Sequence, residues 1–180
     1  MAGEVLDIHP VTRITINTQG KPGQRKFLLQ VQSISETITL KIEKEQARVL
    51  SVSLIDFLDE INQKHPQPYT RLDIPPRSAM ALHEPAEPLF AVGQIGLGYD
   101  EEDDLIVLVA QELQAEEFEE PMTIRFWANR GQMRALSDHT LEVVEQGRPL
   151  CPLCNHPKSE NQFCPRSNGH ESFGSEPCPT

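Results

Sequence analysis

Positive charge is what this chain of 180 residues has least of: 16 Lys and Arg stand against 27 Asp and Glu, a formal net charge of −11. Nucleic acids and anionic lipid surfaces are held by concentrated positive charge that releases counterions, so non-specific binding to either is not expected. No apolar run approaches the roughly 20 residues that a helix needs to cross a bilayer, which argues against membrane insertion. No leader is recognisable either, so the expectation is a soluble, cytoplasmic protein whose thiols are kept reduced. Motifs of catalysis are missing as well. No Ser or Cys sits in a nucleophile turn with a histidine to serve as base, and His9, His65, His83 and His139 have no partner in any such motif. Gly93-Gln94-Ile95-Gly96-Leu97-Gly98 lacks the order of a dinucleotide fingerprint, and Gly20-Lys21-Pro22-Gly23-Gln24-Arg25 lacks the Lys-Ser/Thr ending of a phosphate loop.

What is present is concentrated at the C-terminal end. All four cysteines, Cys151, Cys154, Cys164 and Cys178, fall in the last thirty residues. Cys151-Pro152-Leu153-Cys154 is a tight turn from which two thiolates converge on one ion, and a second run from Cys164 to His170 follows. Three sulfurs and one imidazole make a closed tetrahedral Zn²⁺ site of the structural kind. The expected ligands are Cys151, Cys154, Cys164 and His170, with Cys178 and then His156 as alternatives for the fourth position. A redox Cys-x-x-Cys normally opens a helix in a βαβ unit, whereas this pair lies among Gly147 and prolines. Iron favours similar thiolate sets, so the spacing alone does not choose the metal.

The body reads as α+β. Residues 1–11 form an irregular lead-in. Ile14 and Ile16 then alternate with Thr15 and Asn17, Phe27, Leu29 and Val31 with Leu28, Gln30 and Gln32, and Ile38, Leu40 and Ile42 with Thr37, Thr39 and Lys41. This is the period of three half-buried strands, antiparallel given their short turns. Ala47, Leu50, Leu54, Phe57, Leu58 and Ile61 recur at helical spacing, which predicts a helix over 44–64 that Pro66 stops. A proline-rich linker over 65–88 follows. The pattern then repeats: strands over 89–97, 105–113 and 122–127, and a helix over 130–146 with Gly147 as its stop. Gln, Arg, Leu and Ser coincide when 45–51 is laid over 131–137. The expected organisation is therefore a first βββα unit (1–64), the linker (65–88), a second βββα unit (89–148) and a zinc-knuckle tail (149–180). The two units would share a core about a pseudo-two-fold axis, in a continuous sheet or an open barrel.

Two charged features in the body carry candidate chemistry. The acidic run Asp100–Asp104 lacks the spacing of a calcium loop and reads as a solvated turn, as does the run from Glu112 to Glu120. Lys21 and Arg25 on the first hairpin, with the equivalently placed Arg48 and Arg134, are candidates for recognising an anion in a cleft between the units. His139 reads as an exposed helix residue.

The run Gly20-x-Pro22-Gly23-Gln24-Arg25-x-Phe27-x-Leu29-Gln30, the run Glu43-Lys44-Glu45-Gln46, and Cys151-Pro152-Leu153-Cys154 with Cys164-Pro165-Arg166-x-Asn168-Gly169 together resemble an uncharacterised bacterial family, number 3090 among domains of unknown function. The resemblance spans nearly the whole chain and implies members in actinobacteria and Chloroflexi, but no activity. Members commonly carry Gly-His one residue before the third cysteine, where this chain has Asn161-Gln162; a ligand role for that histidine would pass here to His170 or Cys178. The resulting expectation is a non-enzymatic binding or accessory module with a structural zinc site, contacting a protein partner or small ligand. The alternative is an enzyme or anion-binding protein that uses the cleft between the units.

Overall fold

The structure is a computed structural model that describes residues 4–21, 23–67, 73–114 and 120–146. Seven strands and two helices follow in the order β1 (Val5–Ile8), β2 (Arg13–Gln19), β3 (Lys26–Gln32), β4 (Thr37–Ile42), α1 (Lys44–Lys64), β5 (Val92–Asp100), β6 (Leu105–Glu112), β7 (Thr123–Ala128) and α2 (Arg130–Glu145), with a 3-10 turn at Arg77–Met80. They form two sheets, β2-β3-β4 and β1-β7-β6-β5.

Local chemistry accounts for most of these elements. Alternation places Ile14, Ile16, Leu29, Val31, Leu40 and Ile42 in one core with Leu50, Leu54 and Leu58 of α1 and Ile106, Leu108, Ile124 and Phe126 of the larger sheet. The β2–β3 hairpin turns at Gly20, whose φ of 105° is open to glycine, and where a Cβ would stand 2.9 Å from the Gln24 carbonyl. The acidic run forms the turn between β5 and β6. Each helix opens on a glutamine that folds back on the cap residue: Gln46 Oε1 accepts from Glu43 N at 3.0 Å, and Gln132 Oε1 accepts from Asn129 N at 2.9 Å.

The helices pack antiparallel across the centre of the molecule. Ser137 Oγ donates to the Ser51 carbonyl at 2.7 Å, Arg134 faces Asp59 at 4.0 Å, and Arg130 reaches Asn62 at 2.8 Å, so positions on α2 fall as those on α1 rise.

Three expectations need correction. The lead-in is not irregular, because Val5–Ile8 forms β1. Nor is the sheet wholly antiparallel: β1 lies parallel to β7, with Val5 opposite Thr123 and Ile8 opposite Phe126. A continuous six-stranded sheet or barrel is replaced by two sheets, which meet where Val11 N donates to the Trp127 carbonyl of β7 just before β2, and where residues 89–91 run parallel beside β4. There Leu89 N donates to the Thr39 carbonyl and Lys41 N to the Phe90 carbonyl, so β5 itself begins at Val92. Each three-strand run thus lends its leading residues to the last strand of the other.

Residues 77–86, expected as linker, lie over the outer face of β2-β3-β4. Polar side chains on that face are buried because the segment satisfies them: Thr15 Oγ1 donates to the Met80 carbonyl at 2.7 Å, and Gln30 exchanges bonds with His83, Nε2 to the carbonyl at 2.9 Å and Oε1 from the amide at 2.8 Å.

Candidate functional site

Three places in the described residues could hold a ligand. The most polar is built around Arg130, the first residue of α2, which is 5% exposed although charged. It lies beside a cavity of about 260 Å³ lined by Asp73, Asp103, Asp104 and Asn129. All five of its N–H donors are used. Nε and Nη2 go to Asp104 Oδ1 at 2.8 and 2.5 Å, Nη1 to Asn62 Oδ1 and the His65 carbonyl, both at 2.8 Å, and Nη2 also to Tyr99 Oη at 3.1 Å. Burial alone would lower the Arg130 pKa, but the bonds to Asp104 and Tyr99 outweigh it and hold it above its ordinary value. Burial and the Asp104 carboxylate also push the Tyr99 phenol up. The guanidinium has no donor left for a ligand. It ties the end of α1 to the β5–β6 turn, and Asp104 adopts φ 53° to meet it.

The second place is a groove of about 490 Å³ between α1 and β5. Gln46, Val49, Leu50 and Ser53 form one wall and Gly93, Ile95 and Leu97 the other. It is mainly apolar; Val49 is half exposed. β5 is an edge strand, so the groove borders unpaired backbone.

The third is the outer face of β1-β7-β6-β5. Register aligns Gly98, Val107 and Trp127 in one row and Gly96, Val109, Arg125 and Asp7 in the next. Inner residues of β6 and β7 are fully buried; in these rows Gly96 and Asp7 are exposed, and Val107, Val109, Arg125 and Trp127 are half-buried. Arg125 is paired with Asp7 at 2.6 Å and stacks over Trp127 at 5.4 Å, and His9 meets that indole edge-on at 5.7 Å. Acidic stretches bound the apolar rows at the β5–β6 turn and, in sequence, after Glu112.

The structure does not gather the four expected anion-binding residues. Arg48 is paired with Glu45 one turn away on α1. Arg134 is paired with Asp138 at 3.3 Å and faces Asp59, eleven residues or about 16 Å along α1 from Arg48. Arg25 Nη1 donates to the Gln146 carbonyl at 2.7 Å, and Lys21 is exposed on the same hairpin. His139 is not exposed; burial lowers its pKa, and its Nε2 is buried without a partner. Cys151, Cys154, Cys164, His170, Cys178 and His156 lie outside the described residues, as does Gly147. Among the described residues, no group of three His, Cys, Asp or Glu is placed to hold a metal ion, and no helix is long and apolar enough to cross a membrane. Sequence reasoning missed Arg130. Its only signal was an arginine in the first turn of a helix, where the dipole disfavours a cation unless a carboxylate is supplied.

Two helices and two sheets of this order define an α+β protein with an ion-paired body. The chain belongs to the family described as protein of unknown function (DUF3090), whose profile matches residues 7–164. No curated protein and no solved structure matches it.

Proposed function

We propose that the protein is a non-enzymatic binding module. Its body docks a basic, partly apolar protein surface on the outer face of β1-β7-β6-β5, and its tail is folded around a structural Zn²⁺ held by Cys151, Cys154, Cys164 and His170. One observation carries the docking reading. The two sheets play equivalent parts in the fold, yet the outer face of β2-β3-β4 is sealed by residues 77–86, while that of the larger sheet presents Val107, Val109 and Trp127 between acidic ends. Apolar area bounded by one sign of charge suits a partner of the opposite sign. The body's arginines at 48, 125, 130 and 134 are each spent on a carboxylate of the chain itself, which gives the anion-cleft reading no support.

The zinc reading rests on thiolate spacing. The family match takes in Cys151, Cys154 and Cys164 and ends before His170. Free thiolates as ligands suit a reducing compartment, and we place the protein in the cytoplasm on that ground. The repeated βββα order, with Gln46 and Gln132 bonded alike, supports descent of the two halves from one duplicated unit.

Trp127 is the only tryptophan and reports directly on the proposed face. Titration with a peptide of alternating Leu and Lys should shift its emission saturably, and a Leu-Glu peptide should not. Equal responses to both, or none to either, would contradict the proposed docking.

A further inference from the structure

We infer that the cleft between α1 and β5 is a peptide-binding groove. An extended segment of a partner protein pairs with the free edge of β5, sets alternate apolar side chains against α1, and carries a Lys or Arg at the end beside the β5–β6 turn. This inference goes beyond the docking reading, since it concerns the edge of the larger sheet and not its outer face, and it holds whether or not that face has a partner.

The groove exists because the helix is tied to the strand at both ends and stands away from it between them. At one end Gln46 Nε2 donates to the Val92 and Gly93 carbonyls at 3.2 and 3.1 Å. At the other the His65 ring lies 5.5 Å from that of Tyr99, and His65 faces Glu101 at 3.6 Å. α1 therefore runs alongside β5 in the same direction, yet it makes almost no contact with it, whereas α2 packs directly against β2. The gap measures about 490 Å³, the size of a ligand cleft, and the two ties hold it open before any ligand arrives. Val49, Leu50 and Ser53 line the helix side, with Ile95 and Leu97 on the strand side. Val49 is 50% exposed and Ile95 and Leu97 are half-buried, so apolar surface at the margin of the core is left for a ligand to cover.

The backbone of β5 decides what fits. β5 is paired with β6 on one side, and that ladder is regular from Gln94 to Asp100; its one irregularity lies between Val92 and Gln94, where Gln46 already takes the carbonyls. The other side of the strand offers amides and carbonyls that a second extended chain satisfies. Edge strands that must stay unpaired carry Lys, Pro or an inward charge. Val92 to Tyr99 carries none of these, reading Val-Gly-Gln-Ile-Gly-Leu-Gly-Tyr. The stretch from Gln94 to Tyr99 spans about 20 Å at the rise of a strand, enough to pair a peptide of about six residues. Such a peptide turns every second side chain into the groove and the others towards the outer face, where Gly96 and Gly98 present no side chain. Selection therefore falls on the groove-facing positions, which Val49, Ile95 and Leu97 require to be apolar. Charge fixes the end of the ligand. Asp100, Glu101, Glu102 and Asp103 form the β5–β6 turn, and none of the four is paired with a Lys or Arg among the described residues. A cation at that end of the peptide meets them. A second copy of β5 brings no cation between Val92 and Tyr99, so a partner's peptide suits the groove better than a second chain.

The test is binding of two dye-labelled peptides to the full chain, Lys-Val-Ser-Leu-Ser-Val-Ser and the same sequence reversed, each with a counterpart that carries Glu in place of Lys. Fluorescence anisotropy should rise saturably for one Lys peptide, and its Glu counterpart should bind more weakly. Glu101→Lys with Glu102→Lys should reverse that preference. Hydrogen exchange of the β5 amides should slow on binding, as strand addition requires. Val49→Asp, a change at a half-exposed position whose effect on folding the urea midpoint checks, should weaken binding about tenfold or more, because a carboxylate would be buried in the groove. Val107→Asp, on the outer face, should leave it unchanged. Binding that survives Val49→Asp and is lost in Val107→Asp would place the peptide on the outer face, overturning the groove assignment and leaving the docking reading standing. No binding of either Lys peptide, or a chain that is already a dimer and becomes a monomer in Val49→Asp, would overturn the assignment as well.

Discussion

Gln46 and Gln132 occupy the same position in the two halves and make the same bonds. Each accepts from the cap amide of its own helix, and each donates to two carbonyls at the entrance of a strand from the other half. Gln→Glu at either site keeps the acceptor and removes the donor. Each substitution should lower unfolding free energy by about 1 kcal/mol, the net worth of hydrogen bonds to part-buried carbonyls. Urea midpoints that move for only one of the two would break the equivalence.

Arg130 is a costly residue to replace, because it is buried and charged. Arg130→Met removes the guanidinium from Asp104, which keeps the Tyr99 hydroxyl as a donor at 2.7 Å, and should cost about 3 kcal/mol. Arg130→Lys keeps the charge but loses the five-way fork, and should recover less than half of that. Thermal unfolding of both variants measures the difference; equal stability of Lys and Arg would show that charge alone matters.

Gly131→Ala and Gly96→Ala should differ in sign or nearly so. Alanine favours helix by about 1 kcal/mol over glycine, yet at 131 its Cβ would overlap the Asp73 carbonyl, and a net loss of about 2 kcal/mol is expected. At Gly96 the nearest atom, Val109 Cβ, is 3.8 Å away, so the change should be neutral or stabilising by a few tenths of a kcal/mol. Denaturant unfolding of the pair decides it.

His139 should make the fold acid-sensitive. Burial lowers its pKa below the ordinary 6.5, an effect that Arg77 reinforces and Glu142 opposes. The unfolded chain therefore takes up the proton first. The stability contributed by neutral His139 is complete above pH 6.5 and declines as pH falls below it. In His139→Gln the stability slope between pH 6.5 and pH 5.5 should be shallower, by about one bound proton at most.

Much of this fold was legible because it is local. The α1 stripe from Ala47 to Ile61 and the alternation of β2, β3, β6 and β7 need no distant partner to be recognised, and the observed bounds of α1 match the expected ones. β1 was hidden because four residues of sequence Val-Leu-Asp-Ile carry little periodicity, and their partner, β7, is some 118 positions away. Thr15, Gln30 and Thr39 lie at the polar positions of the alternation, yet they are buried: residues 80–83 satisfy Thr15 and Gln30, and Thr39 Oγ1 accepts from Gln30. Arg130 was illegible for a similar reason: Asn62 and His65 come from the end of α1 and Tyr99 and Asp104 from the β5–β6 hairpin, both distant in sequence from α2.

The most direct measurement is metal content with stoichiometry on the full chain purified without added metal, comparing it with Cys151→Ser and His170→Ala. The account predicts about one zinc per chain in the parent and loss of it in both variants, as a closed four-ligand site requires. A parent chain free of metal would contradict the account and make the cysteines themselves the place to look for chemistry.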